Sequence, residues 1–586
     1  MKKIQSMLAL LLAAALCLCS LTACGTASTG VSGSITSGIR NAEATAEAEP
    51  TEVPETEETP TVQKTGTAPE PTFSDGVHAD TDYADMDWYI YDTTEYYAAV
   101  DRLAACTDGD EALELYKWLN SQYVLASTLD SLAYIKFYAD PDDEELSAAC
   151  QELDSMCTDM LDALYTALST ALEGDAAPVL EEYFGEENAQ ELRDYEEMTE
   201  RESEILDRIS ELQLEYNDLI MQSLTYTEMT EQIGGLYVEL VGLYNEYAQI
   251  YGYDNYADYS YENVYGRDYT PEDAAALCEA VKPYAYAYFA YLYSDEATYA
   301  DFSVDTDYSP DELLNLLTTY MPRVSDKAAE AANYMVGHGL YFLASADEIS
   351  DMGFTTTLEY YNAPFIYNSL YGNYNDIGSM FHEFGHYYDA YLNIPEDHLL
   401  NVGSYDIYEI HSNGMEALST GWYDDIYGEE AGLAKIKYLD SALYSIVMGC
   451  IFDEFQREVY SAENLTAEDV NEYFTQIAAE YGLESYSKSF TTYWMQVNHN
   501  FEQPFYYISY AVSAIAALQI YEMAEDDWDE AAAFYNDLVD LGAVDYTYCE
   551  LLEKVGLESF TNGLPECVGE AVEDMAELCE AYNSAA

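Results

Sequence analysis

From about residue 83 to about residue 340, apolar side chains recur at three- and four-residue spacing, the period of amphipathic helices. The runs "DEALELYKWLNSQYVLASTLDSLAYIKF" and "AQELRDYEEMTERESEILDRISELQLEYNDLI" both read this way, and Asp-Pro, Gly-Asp and Tyr-Thr-Pro-Glu segments punctuate them. The pattern changes only briefly. "GLYFLAS" and "YYNAPFIYNSL" are short and rich in aromatic and branched residues, and the second predicts a strand within 360–370. From residue 377 onward the helical period returns. No repeat of roughly 30–50 residues is present, which excludes a solenoid. The expected fold is mainly α. It is one large helical unit, with an N-terminal lobe over 81–340 and a second lobe over 341–586 that holds the small β element.

The first 80 residues follow other rules. Lys2 and Lys3 precede an apolar run that closes on small residues, the layout of a secretory leader over 1–23. Leu21-Thr22-Ala23-Cys24 resembles the bacterial lipobox, in which the cysteine is lipidated and becomes the mature N-terminus. The competing reading is an uncleaved membrane anchor, because the run is borderline in length for spanning. Either way the rest of the chain is expected outside the cytoplasm, as a lipoprotein of the bacterial membrane in the favoured reading. Residues 24–80, rich in Thr, Glu, Ala and Pro, have almost nothing to bury and read as a disordered acidic tether. No later segment is apolar enough to span a bilayer.

Composition narrows the partners. The 586 residues hold 19 basic and 112 acidic side chains, a formal charge of −93. Such a chain repels nucleic-acid phosphates, while basic peptides and divalent metals are attracted. Eight cysteines remain beyond the leader and Cys24, none in CxxC spacing, so a thiolate metal site is not expected.

The chemistry concentrates in "GSMFHEFGHYYDAYL". There are only seven histidines in the chain, yet His382 and His386 stand four apart around Glu383. On a helix, residues i and i+4 share a face, so both imidazoles can reach one metal ion. Glu383 sits about 100° round the helix, off the metal but within reach of a water bound to it. Zinc lowers that water's pKa to about 7, and Glu383 can take its proton as general base. Asn375 or Asp376 is the expected helix cap, and Asn393-Ile394-Pro395 the stop. A third ligand is still required. The HExxHxxGxxH pattern fails, with Asp389 and Leu392 in the glycine and third-histidine places. The segment "SYDIYEIHSNGMEALSTGW" offers Glu409, His411 and Glu416. Glu409 and Glu416 share a helical face and Glu409 and His411 do not; helical geometry does not choose between the two glutamates. His78, His338 and His398 read as surface or packing residues.

These residues together resemble a known family. "GFTTTLEYYNAPFIYNSLYGNYNDIGSMFHEFGHYYDAYL" followed by "YEIHSNGMEALS" is similar to the oligoendopeptidase F branch of the thimet oligopeptidase family of zinc metallopeptidases, here in a lipoprotein form. The resemblance implies a large zincin-type, neurolysin-like helical shell with a deep substrate channel. It implies one zinc per chain, held by His382, His386 and Glu409, with Glu416 as a neighbour of the site. Downstream, "YWMQVNHNFEQPFYYISYAVSAIAALQ" matches His499 to a family histidine, and Tyr507 and Tyr510 to catalytic tyrosines, with Tyr506 as the alternative register. Asp389 and His411 depart from the family pattern, and Asp389 is a candidate to orient a ligand imidazole.

The expected activity is hydrolysis of oligopeptides, basic ones favoured by charge, with the strand over Pro364–Tyr367 pairing with substrate along its edge. Two rivals stand beside it. A related zinc carboxypeptidase needs a cation for the free carboxylate, and Arg457 and Lys488 are among the few available. A non-catalytic peptide-binding lipoprotein would not need the intact ligand set.

Overall fold

The Asp108 carboxylate accepts from the backbone N–H groups of Asp110 and Glu111, donors that a helix start otherwise leaves unpaired. Helix α1 (Gly109–Ala139) follows, and Asp143 caps α2 (Glu144–Leu172) in the same way. The computed structural model describes residues 77–585 other than 196–197, 221, 293–307, 347, 396, 398, 400–402 and 484–489. The leader, Cys24, the tether up to residue 76, His398 and Lys488 lie outside the described residues. Next come α3 (Glu200–Ile220), α4 (Tyr226–Ile250) and α5 (Pro271–Leu292). In α3 the buried residues Ile205, Ile209, Leu212 and Tyr216 form one stripe at helical spacing.

Among the described residues there is one sheet, with strands β1 (Tyr341–Ser345), β2 (Gly353–Leu358) and β3 (Ala363–Leu370) in the order β1-β3-β2. β3 pairs parallel to β1 and antiparallel to β2. The strand expected within 360–370 begins at Ala363, because Glu359–Tyr361 form a tight turn and Asn362 takes a left-handed conformation, φ 45°. This placement corrects the expectation that Pro364–Tyr367 offers an edge to substrate. β3 is the central strand and buried along its whole length, so its backbone groups are committed to neighbours on both sides. β2 lies at one edge of the sheet and β1 at the other.

Helix α6 (Tyr374–Leu392) follows β3 and carries the His-Glu-x-x-His residues. Its cap is Asn373, whose side chain accepts from Asn375 N–H at 2.8 Å. Asp376 closes the capping box from inside the helix, and also accepts from Tyr371 N–H at 2.8 Å and Gly372 N–H at 2.7 Å. The expected caps, Asn375 and Asp376, are thus the second and third helical residues. Helix α7 (Tyr405–Ser419) crosses α6 closely: a Cβ on Gly385 would lie 2.6 Å from both the His411 carbonyl oxygen and Ser412 Cα.

Helices α8 (Ala431–Ser461) and α9 (Ile508–Asp526) complete the surround. The helices before residue 340 pack directly into this part. Gln213 Nε2 donates to Phe501 O at 3.0 Å, and Tyr216 Oη donates to Met495 O at 3.0 Å. Lys282 on α5 reaches Glu454 on α8 at 2.9 Å and Glu480 at 2.6 Å. One hydrophobic core runs from Met86 to Cys579, so residue 340 marks a change of secondary structure inside a shared core. All eight cysteines from Cys106 to Cys579 are free thiols.

The Gly385 crossing makes a direct prediction. Gly385→Ala has to push α6 away from α7, and is expected to cost about 1–3 kcal/mol, as overpacking does. The urea midpoint should fall at unchanged slope; an unchanged midpoint would show that the helices have slack there.

Candidate metal centre and cleft

Helical spacing brings the His382 and His386 rings to centroids 5.0 Å apart. Across the α6–α7 crossing stands Glu409. Its Oε2 is 3.6 Å from His382 Nε2 and 3.8 Å from His386 Nε2. One ligand atom from each of these three residues lies within 4.8 Å of the others. Glu416, two turns along the same face of α7, accepts instead from His382 Nδ1 at 2.7 Å. The two glutamates that helical geometry left equivalent thus meet opposite sides of the His382 ring. Glu409 faces the nitrogens that converge, and Glu416 holds the ring from behind, which fixes its tautomer and orientation.

The centre has the electrostatics of a cation site. Burial pushes His382 down, but the Glu416 bond and the charges of Glu416 and Glu409 outweigh it and raise the imidazole to about 9. A proton there stands in for a positive charge that the carboxylates demand. His386 is driven the other way by burial, to about 4, so it offers a neutral lone pair. Among the described residues, His382 Nε2 and Glu383 Oε1 are buried with no hydrogen-bond partner, although such atoms are normally paired. Two imidazole nitrogens and one carboxylate oxygen beside an open cleft form the donor set of a catalytic zinc site, so the residues present fit that ion.

Glu383 is fully buried. Burial raises its carboxyl to about 7, against the opposing effects of His382 and Thr355. Thr355 on β2 supplies the hydroxyl, 2.8 Å from Glu383 Oε2. The β2 backbone beside it faces outward. Ile366 N–H donates away from β2, to Leu340 O at 3.2 Å, and Pro364 has no N–H. The pairs Thr355–Ile366 and Thr357–Pro364 are therefore the non-bonded pairs of the antiparallel ladder, and the backbone groups of Thr355 and Thr357 point off the free edge. Both threonines line a cleft of about 300 Å³ that also takes in Glu383, His386, Glu409 and Tyr506.

The Asp389 charge raises His386 against the effect of burial. Asp389 is buried, its Oδ1 is 3.2 Å from His411 Nδ1, and the same oxygen accepts from Asn393 Nδ2 at 2.8 Å. It thereby ties the end of α6 to α7. Downstream, Tyr506 is the tyrosine at the centre: it lines the cleft and its hydroxyl donates to Glu409 Oε1 at 3.2 Å. Tyr507, favoured by the sequence register, turns its ring to Phe452 at 4.9 Å and His499 at 5.1 Å. Tyr510 Oη is 3.4 Å from His499 Nε2. His499 is lowered to about 4 by burial, against the opposing charge of Glu409. The His499 ring stacks on Tyr506 at 5.3 Å, and the Tyr510 ring meets Tyr506 edge-on at 5.2 Å. Thr355 was not singled out from the sequence. The signal was present in three consecutive threonines, Thr355–Thr357, which favour a strand.

The sequence matches no family model and no curated protein. Solved structures do share its fold. PZ peptidase A with an inhibitor superposes with a TM-score of 0.71 at 22% identity, covering 85% of this chain and 99% of that one. An assigned oligoendopeptidase F from Bacillus anthracis gives 0.69 at 21% identity, covering 87% and 99%. Metallocarboxypeptidase 1 from Trypanosoma cruzi gives 0.57 at 14% identity, covering 79% and 99%. The mainly helical architecture with its small sheet is therefore the fold of these peptidase structures.

If Glu416 orients His382, Glu416→Gln should weaken zinc affinity by about 10–100-fold. Competition against a chelating dye measures it, and an unchanged affinity would remove Glu416 from the site.

Proposed function

We propose that the chain is a zinc metalloendopeptidase of the oligoendopeptidase F type, hydrolysing oligopeptides outside the cytoplasm from a lipid anchor at Cys24. The observation that carries the activity is the convergence of His382 Nε2 and His386 Nε2 on Glu409, with a buried, half-partnered Glu383 carboxylate beside the free edge of β2. The location rests on the leader sequence alone.

His382, His386 and Glu409 would hold the ion. Zinc bound there supplies Lewis acidity, polarising the scissile carbonyl and acidifying the attacking water. Glu383 does the proton work. Thr355 holds Oε2, leaving Oε1 to accept a proton from the attacking water and pass it to the leaving amine. A carboxyl raised to about 7 is matched to both halves of that transfer. The outward backbone groups of Thr355 and Thr357 would pair with an extended peptide, so the substrate docks on β2. The Tyr506 hydroxyl, at the ligand Glu409, is the group best placed to donate to the developing oxyanion. His499 and Tyr510 brace its ring, and Tyr507 braces His499.

Two features favour internal cleavage over release of C-terminal residues. Among the described residues no lysine or arginine lines the cleft, and Arg457 is bound to Asp453 at 2.7 Å. The same lining, with the charge of −93, favours basic peptides.

A peptide blocked at both ends and quenched across its centre tests the reading. Wild-type protein loaded with zinc should cut it internally, and a chelator should stop it. Glu383→Gln should lower kcat by about 10²–10⁴-fold while zinc content stays at one per chain. A Glu383→Gln rate equal to wild type would overturn the mechanism, and products shortened only from a free C-terminus would favour the carboxypeptidase.

A further inference from the structure

Arg267 lies just before α5, and its side chain is fully buried, a place where arginine is seldom found unless it is paired. Three tyrosines of its own segment enclose it. The guanidinium carbon stands 4.4 Å from the ring centres of Tyr261 and Tyr265 and 5.6 Å from that of Tyr269. Its nitrogens reach two separate elements. Nη2 donates to Phe505 O at 3.0 Å and to Ser509 Oγ at 2.9 Å, on the turn into α9. Nε is 3.5 Å from Asp406 Oδ2, in the first turn of α7. Two tyrosine hydroxyls repeat this division: Tyr265 donates to Pro504 O at 2.9 Å, and Tyr269 donates to Asp406 Oδ2 at 2.9 Å.

These two destinations support one contact. Asp406 stands a helical turn before Glu409 on α7. Phe505 immediately precedes Tyr506, whose hydroxyl meets Glu409 Oε1 at 3.2 Å. Phe505 is left-handed, φ 69°, a conformation that a bulky residue keeps only where its neighbours hold it. Gln456 on α8 holds its N–H, Arg267 its carbonyl, and Tyr265 the carbonyl before it. Resting on the peptidase reading, we propose that Arg267 is a positioning residue: one guanidinium, braced between Asp406 and the Phe505 carbonyl, sets the Tyr506 hydroxyl against Glu409. A guanidinium suits this task because its nitrogens form a rigid planar fork, whereas lysine offers one nitrogen on a flexible stem.

Placing 3-fluorotyrosine at position 506 gives a fluorine resonance that reports on the hydroxyl in metal-free protein, with no turnover required. Glu409→Ala marks the shift that accompanies loss of the contact, and Arg267→Lys should reproduce it. Arg267→Gln/Asp406→Asn removes both buried charges together and leaves neither unpaired. It should give the same shift, and it stands in where Arg267→Lys does not fold. In the zinc-loaded enzyme, Arg267→Lys should lower kcat by about 10²-fold with KM nearly unchanged. On a Tyr506→Phe background the same substitution should change kcat by less than about 2-fold, because the hydroxyl it places is gone. A resonance unmoved by both Arg267 variants overturns the proposal. So does an equal kcat loss with and without the Tyr506 hydroxyl, the signature of a structural role alone. If the wild type cleaves no peptide, the peptidase reading fails, and the fluorine resonance still decides whether Arg267 places Tyr506.

Discussion

Helices α6 and α7 cross over a glycine. With any side chain at Gly385, its Cβ would lie 2.6 Å from the His411 carbonyl oxygen and from Ser412 Cα. The crossing puts Glu409 opposite the paired imidazoles. It also sets Asp389 against His411 and Glu416 against the far side of His382. Each of these contacts joins α6 to α7, so the crossing distance controls ligand separation and ring orientation together. The sheet is a second support. β3, buried between its neighbours, holds β2 in place, and β2 delivers Thr355 to Glu383.

Charge then gives this geometry its chemistry. The hydrogen bond to Glu416 and the charges of Glu416, Glu409 and Glu383 raise His382 to about 9 against the effect of burial. Desolvation alone would favour neutral groups, so such a centre is most stable around a cation. Glu383 itself rises to about 7 mainly because it is buried. The same low-dielectric setting that leaves the carboxylates in want of a positive charge thus brings the Glu383 carboxyl to about 7.

Local sequence carried the local part of this picture. The i, i+4 histidines with glutamate read directly as one helical face, and the Asn393–Pro395 stop lies where α6 ends. Non-local facts were not legible. The order β1-β3-β2 depends on pairing across the sheet, so an edge was assigned to the more apolar strand, which is central, when the threonine-rich one lies at the edge. Glu409 and Glu416 share a face of α7, so helical spacing does not tell them apart; the family resemblance named Glu409, and the opposite helix shows which side of His382 each one meets. Of the two tyrosine registers, Tyr506 is the one whose hydroxyl meets Glu409. Tyr506 and Tyr507 precede α9, which begins at Ile508, and Phe505 takes a left-handed conformation, φ 69°, with its N–H held by Gln456 Oε1 at 2.7 Å. Helical periodicity does not reach residues placed by such a turn.

In the proposed centre, two helices build one metal site through three side chains. Calorimetric titration of zinc into metal-free protein tests it most directly. The account predicts one tight site per chain in the wild type and its loss in Glu409→Gln, with the variant still folded by circular dichroism. Absence of a tight site in the wild type, or undiminished binding in Glu409→Gln, would contradict it.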